Sequence, residues 1–203
     1  MQAVGRLLVD GEGACTATAI SPQKILTAAH CLGEPPRPEM AVFIMNSVDY
    51  GIDGIHRGGK VRAGGKAPLQ TIRRDWAVLT LAPTAPSVGP HPSVPLSGLE
   101  EAKAAMQRQA PIKKAGFVFD PTGAASLGAT ADCRIRAIDP TGETFLFTCG
   151  QKGLGPGMSG SPLLVDGPEG EIVIGLQSAA VDLEGELFGV AVIPPPAAHA
   201  PIP

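Results

Sequence analysis

The chain has 203 residues and a formal net charge of −3 at pH 7, with 44% hydrophobic and 4% aromatic residues. This length and apolar fraction suit one large or two small packed domains whose core is mostly aliphatic. Lys and Arg are not clustered, which argues against a nucleic-acid-binding surface, and no apolar run approaches the ~20 residues of a transmembrane helix.

The first part of the sequence predicts a small antiparallel β-domain. Short runs of strand-forming residues alternate with turns rich in Gly, Pro and Asp, as in a barrel or sandwich. The predicted strands are Gly5–Val9, Thr16–Ile20, Lys24–Thr27, Ala41–Met45 and Trp76–Leu81. The glycine-containing segment DYGIDG, residues 49–54, is interpreted as a loop because no apolar strand follows it.

A linker and a helix come next. The proline-rich residues 83–95 cannot form a central strand and are predicted to connect two domains. The segment SGLEEAKAAMQRQA (97–110) predicts one short surface helix, with Ser97 and Glu100 in the spacing of a capping box.

Strand-like runs resume after the helix and end before a proline-rich tail. The predicted strands are Ala115–Phe119, Cys133–Ile138, Thr144–Cys149, Pro162–Val165, Glu171–Gln177 and Leu187–Ile193. The predicted organisation is a first domain at 1–82, a linker with a helix at 83–114, a second domain at 115–193 and a tail at 194–203.

The four cysteines are predicted to form two disulfides. The segment from Cys133 to Cys149 predicts a β-hairpin centred on Thr141, which would place both cysteines opposite each other on one face. Cys15 would then pair with Cys31 by elimination, and the bridges would favour an oxidising compartment. Two pairs of reduced, buried thiols are the alternative. The spacing contains no CxxC pair, which argues against zinc.

Three polar residues in separate motifs form a candidate catalytic site. Ser159 lies in GPGMSGSP, His30 in TAAHC, and Asp75 in RRDWAVLTL ahead of a strand that would partly bury it. A serine is a weak nucleophile unless a histidine base, itself oriented by a carboxylate, activates it. Singly, each has a structural explanation: a turn serine, a strand-end histidine and a strand-capping aspartate. Asp49 and Asp53 are weaker candidates for the carboxylate, and the other histidines are expected to be solvated: His56, His91 and His199.

Together these motifs resemble those of the chymotrypsin-like (trypsin-like) serine proteases over almost the whole chain. The order histidine, aspartate, serine is that of this family and differs from that of subtilisins and α/β-hydrolases. The resemblance implies an all-β fold of two six-stranded antiparallel barrels with the active site between them. It implies a triad of His30, Asp75 and Ser159, an oxyanion hole from the amides of Gly157 and Ser159, and a Cys15–Cys31 bridge around the histidine loop.

The resemblance defines the specificity pocket less fully. Digestive members carry an aspartate before the catalytic serine, to pair with a newly cut N-terminus, and here that residue is Met158. The GxSGSP form is closer to the bacterial and glutamyl-endopeptidase branch, whose histidine for acidic side chains is replaced here by Gln177. The matched pocket residues are uncharged and imply a small or medium apolar residue on the acyl side of the cut bond: Gly153, Ser178, Ala179, Ala180 and Gly189.

The implied protein is a secreted or periplasmic serine endopeptidase, expected to be a monomer that acts on proteins or peptides without a metal or other cofactor. Residues 1–11 lack the apolar core of a signal peptide, so an exported protein would be a mature form. Two alternatives stay open: an inactive homologue that uses the double barrel as a binding module, and a non-catalytic disulfide-stapled scaffold.

Overall fold

Twelve strands dominate the part of the chain that the computed structural model describes, which is residues 2–59, 69–83, 91–119, 124–150 and 154–195. They form two closed antiparallel barrels of six strands each. The all-β double barrel that the resemblance implies is therefore confirmed. In these ranges no helix is long and apolar enough to cross a membrane.

The first barrel is built from β1 (Val4–Val9), β2 (Glu12–Ser21), β3 (Lys24–Thr27), β4 (Ala41–Met45), β5 (Val48–Arg57) and β6 (Ala77–Leu81). Their order around the barrel is β1-β2-β3-β6-β5-β4, and pairing of β4 with β1 closes it. Alternate side chains point inward. The core is mostly aliphatic, with the rings of Phe43 and Tyr50 6.0 Å apart across β4 and β5.

The second barrel is built from β7 (Ile112–Phe119), β8 (Ala125–Ile138), β9 (Thr144–Thr148), β10 (Pro162–Gly167), β11 (Gly170–Leu183) and β12 (Glu186–Val192). The order is β10-β11-β12-β9-β8-β7, closed by β7 and β10. Phe145 and Phe147 fill its core beside aliphatic side chains, with their rings 6.2 Å apart in an edge-to-face arrangement.

Strand β5 corrects the sequence-based interpretation of residues 49–54 as a loop. Tyr50 and Ile52 point into the first barrel, whereas Asp49 and Asp53 are exposed. This period-two alternation is that of a half-buried strand. Glycines between the apolar residues hide the pattern, because glycine contributes no side chain to either face.

The helices are short, and the cap of the longer one differs from the prediction. They comprise α1 (Leu69–Ile72), α2 (Leu99–Gln107) and two 3-10 turns, Ala29–Leu32 and Pro38–Met40. In α2, the capping pair is shifted by one residue from Ser97 and Glu100. The carboxylate of Glu101 accepts the N–H of Gly98 at 3.3 Å, and a hydrogen bond from the Ser97 side chain lowers the pKa of Glu101.

The predicted linker contains no strand in residues 91–95, and Leu96 makes one parallel bridge to Val173 of β11. Residues 84–90 of the linker and 196–203 of the tail lie outside the described residues.

An apolar seam joins the two barrels and frames the candidate site. The first barrel contributes Leu26, Ala28, Ile72, Trp76 and Val78, and the second contributes Leu164, Val173, Leu176, Val190 and Val192. These residues form one buried cluster, so side chains of the two barrels pack directly against each other.

Candidate active site

His30 and Asp75 are brought together by the pairing of β3 with β6. Thr27 at the end of β3 is paired with Ala77 at the start of β6. His30 follows β3 in the 3-10 turn Ala29–Leu32, and Asp75 precedes β6, so both residues leave the barrel at the same edge.

The Asp75 carboxylate holds His30 by both of its oxygens. Oδ1 accepts the backbone N–H of His30 at 2.9 Å, and Oδ2 lies 2.7 Å from His30 Nδ1. Asp75 is fully buried, more deeply than predicted, and the imidazole is 12% exposed. An ionised carboxylate only accepts hydrogen bonds, so Nδ1 carries the proton and neutral His30 presents Nε2 as an acceptor.

Ser178 makes a third contact with the carboxylate that the sequence-based reasoning missed. Its hydroxyl donates a hydrogen bond to Asp75 Oδ2. Ser178 is the extra residue of a β-bulge in β11, where the pairing with β12 shifts between Gln177 and Ala179. Bulges re-aim side chains beside active sites. Although Ser178 was predicted to line the pocket wall, its hydroxyl is committed to Asp75.

Ser159 lies in a loop of the second barrel that is anchored against the first. Its carbonyl accepts the N–H of Thr16 on β2 at 2.8 Å. Gly160 has φ +81°, and a Cβ there would lie 2.1 Å from the Thr16 carbonyl oxygen and 3.2 Å from the backbone nitrogen of Ala28. Only glycine allows this approach, which places Ser159 next to the segment that carries His30.

Within residues 157–161, the amides of Gly157 and Ser159 are the two that donate no hydrogen bond to a described residue. The N–H groups of Met158, Gly160 and Ser161 donate to carbonyls within the second barrel at 2.8–3.2 Å. Those of Gly157 and Ser159 donate to none of the residues the structure describes. The Ser159 hydroxyl is not hydrogen-bonded to His30 in this structure. Such bonds are often long in ligand-free sites and tighten when substrate binds.

Met158 packs inside the second barrel and fills the place of the aspartate of digestive members. It is 3% exposed, and its Sδ accepts the Ser161 hydroxyl at 3.5 Å. A Cβ on Gly116 would lie 2.8 Å from Met158 Sδ, and one on Gly128 would lie 3.5 Å from Met158 Cε. Residue 158 is therefore held by packing within the second barrel, and its side chain carries no charge that could form an ion pair.

Both predicted disulfides, Cys15–Cys31 and Cys133–Cys149, are present. The first lies beside His30, with ligand atoms of the three residues within 4.8 Å of one another. Because both sulfurs are used in the bridge, this group is not a metal site.

The remaining predicted pocket residues lie on two neighbouring strands. Ala179 is partly buried, and exposed Ala180 is paired with Gly189 of β12. A Cβ on Gly189 would lie 2.2 Å from the ring of Phe147, so close packing on that ring requires a glycine there. Gly153 lies outside the described residues.

The other candidate residues do not approach the site. Asp49 and Asp53 are exposed on β5, and His56 is exposed beside the Trp76 ring. His91 is partly exposed, with its Nε2 2.9 Å from the Pro22 carbonyl oxygen and its ring edge-on against Tyr50. His199 lies outside the described residues.

A cleft of about 990 Å³ lies elsewhere on the seam, lined by residues that include Arg73, Trp76, Leu99 and Glu143. Neither His30 nor Ser159 lines it, so this cleft is separate from the candidate site.

Comparison with known families agrees with this geometry. A family model described as a trypsin-like peptidase domain matches residues 15–176, which is more than half of the chain and includes His30, Asp75 and Ser159. No curated protein matches the chain significantly. A peptidase domain acts on protein or peptide substrates. The chain therefore belongs to the trypsin-like peptidase family, within the chymotrypsin-like serine proteases.

Proposed function

We propose that the protein is a serine endopeptidase that cleaves peptide bonds through an acyl-enzyme, with His30, Asp75 and Ser159 as its catalytic triad. The observation that carries the proposal is the buried Asp75 carboxylate, both of whose oxygens bind His30. This arrangement fixes the imidazole tautomer and stabilises the cation that forms when His30 takes a proton.

In the proposed reaction, Ser159 Oγ attacks the carbonyl carbon of the scissile bond while His30 Nε2 accepts the hydroxyl proton. The oxyanion of the tetrahedral intermediate accepts hydrogen bonds from the amides of Gly157 and Ser159, whose availability supports this role. The intermediate collapses, the C–N bond breaks, and His30 gives its proton to the leaving amine. Water, activated by His30, then hydrolyses the ester and regenerates Ser159.

We further propose a small or medium apolar residue on the acyl side of the cut bond. Ala179, Ala180 and Gly189 are small and uncharged, which supports this preference. The two disulfides support a secreted or periplasmic location, because such bridges persist in oxidising compartments. A monomer and the domain limits 1–82 and 115–193 stay predictions.

Covalent labelling tests the assignment of the nucleophile. A fluorophosphonate probe should modify wild-type protein at Ser159, and Ser159→Ala and His30→Ala should each abolish labelling. Ser159→Ala should leave thermal unfolding nearly unchanged, whereas His30→Ala also removes a hydrogen bond to the buried Asp75 carboxylate and should lower the unfolding temperature. Replacing both residues should lower peptide hydrolysis little more than replacing either, because triad members act as a unit. Ser126→Ala, at an exposed serine of β8, is the matched control and should be labelled like wild type.

Labelling that survives in Ser159→Ala would place the reactive group elsewhere. A folded wild-type protein that neither reacts with the probe nor cleaves a peptide library would support the alternative, an inactive homologue that acts as a binding module.

A further inference from the structure

Thr16, a fully buried residue of β2, is hydrogen-bonded to the second barrel through both its backbone and its side chain. Its N–H donates to the carbonyl of Ser159 at 2.8 Å, and its hydroxyl donates to the carbonyl of Gly157 at 3.0 Å. The same hydroxyl accepts the N–H of Phe117 on β7 at 2.8 Å. One residue of the first barrel thus contacts both residues whose amides form the proposed oxyanion hole.

The direction of the hydroxyl hydrogen bond is fixed by its surroundings. A threonine hydroxyl has one proton to donate and two lone pairs that accept. The N–H of Phe117 can only donate, and the carbonyl of Gly157 can only accept. The proton of Thr16 Oγ1 is therefore directed at Gly157, and the side chain has a single orientation that satisfies both partners.

Holding the Gly157 carbonyl restricts the amide that precedes it. Gly157 has φ +88° and, as a glycine, few steric limits of its own. On its N-terminal side, the carbonyl of Pro156 accepts the N–H of Phe119 at 3.4 Å. On its C-terminal side, Thr16 holds the Gly157 carbonyl. With the peptide planes on both sides held, the N–H of Gly157 keeps one direction.

We propose that Thr16 is a positioning residue of the oxyanion hole: its hydroxyl holds the Gly157 carbonyl and thereby aims the Gly157 amide at the reacting carbonyl oxygen. The inference rests on the proposed peptidase function and deepens it. The Cys15–Cys31 bridge reinforces the arrangement, because it joins the neighbour of Thr16 to the neighbour of His30. The segment that carries His30 and the loop that carries the oxyanion donors are therefore both attached to residues 15 and 16 of the first barrel.

The chain offers a matched control two residues along the same strand. Thr18 is 1% exposed, and its Oγ1 has no hydrogen-bond partner among the described residues. Thr16→Val and Thr18→Val each exchange a buried hydroxyl for a methyl group, but only Thr16→Val removes contacts with the nucleophile loop. Thr16→Ser keeps the hydroxyl and should restore the wild-type behaviour.

The first measurement is independent of catalysis. In a Ser159→Ala background, hydrogen exchange of residues 115–119 and 154–161 is followed by mass spectrometry. Thr16→Val should exchange about tenfold faster in both segments, because each segment loses one hydrogen bond of about 1.4 kcal/mol. Thr16→Ser and Thr18→Val should exchange like the parent. Equal exchange in Thr16→Val and Thr18→Val would overturn the proposal.

The second measurement uses the active protein. Thr16→Val should react with a fluorophosphonate at least about tenfold more slowly and lose kcat on a cleaved peptide, with KM within about twofold, as for an interaction made only in the transition state. Thr16→Ser and Thr18→Val should keep the wild-type values. Faster loop exchange without any loss of labelling rate would refute the role in the oxyanion hole. A wild-type protein that resists labelling would instead refute the peptidase assignment, while the exchange data would still decide whether Thr16 holds the loop.

Discussion

Comparing Gly160→Ala with Gly11→Ala should separate two costs of adding a Cβ: the strain of a left-handed backbone conformation and the steric clash with the neighbouring barrel. The residue has φ +81°, and a Cβ there would lie 2.1 Å from the carbonyl oxygen of Thr16 and 2.6 Å from the hydroxyl of Thr27. Both partners belong to adjacent strands of the first barrel. A non-bonded Cβ contact needs at least about 3 Å, so the loop would have to move by roughly 1 Å.

The matched control is Gly11→Ala. Gly11 has nearly the same φ, +78°, but nothing lies within 4 Å of a Cβ built on it. Gly11→Ala should therefore cost only the left-handed conformation, about 1 kcal/mol of unfolding free energy. Gly160→Ala should cost this amount plus the strain of displacement, together about 3 kcal/mol or more.

The effect on catalysis should be larger than the effect on stability. Displacing Ser159 by about 1 Å from His30 is expected to lower kcat/KM about 100-fold or more. Urea unfolding gives the free energies, in a Ser159→Ala background to prevent self-digestion, and initial rates on a cleaved peptide give kcat/KM. If Gly160→Ala matched Gly11→Ala in both measurements, the close approach of the barrels at Gly160 would not control the position of the nucleophile.

Two further substitutions probe buried polar groups. Ser178→Ala removes a hydrogen bond to the buried Asp75 carboxylate and should lower the unfolding free energy by roughly 1.5–3 kcal/mol and also lower kcat; unchanged values in urea unfolding and peptide cleavage would contradict this. Burial lowers the pKa of Lys114 from 10.5 to about 7, so between these values the unfolded chain binds more protons and stability rises with pH. Lys114→Met should therefore have a larger unfolding free energy than wild type, by a few kcal/mol at or below pH 7. This difference, measured by urea unfolding, should shrink as the pH rises toward 10.5. A difference that does not change with pH would rule out this explanation.

Aliphatic runs predicted the strands well, and small or polar residues hid the rest. The predicted limits Lys24–Thr27 and Ala41–Met45 are those of β3 and β4. The first half of β8 was missed because residues 125–132 are mostly small or polar, and they form a strand by pairing with β7. Strand β11 continues past Gln177 because a bulge absorbs one residue and the pairing with β12 resumes. Pairing across the sheet decided these limits, and local propensity did not.

Some residues of the candidate site were likewise predictable from the sequence and others were not. The motifs around His30, Asp75 and Ser159 each have a recognisable local pattern, so the residues themselves were selected from the sequence. Thr16 and Ser178 were not given these roles, because a threonine in an apolar strand and a serine before two alanines have no distinctive neighbours in sequence. Their contacts arise only when the two barrels meet.

The division of the candidate triad between two barrels explains why such contacts matter. Each barrel closes on its own core, and the apolar seam between them is non-directional, so it favours contact without specifying a position to a fraction of an ångström. Hydrogen bonds are directional and fix that position. The hydrogen bonds of Thr16 position the nucleophile loop relative to the segment that carries His30. The close contact between Gly160, which has no side chain, and the Thr16 carbonyl does the same. On the proposed mechanism, the geometry of the candidate triad therefore depends on a few polar contacts at the edge of the seam, whereas the stability of each barrel depends mainly on its own core.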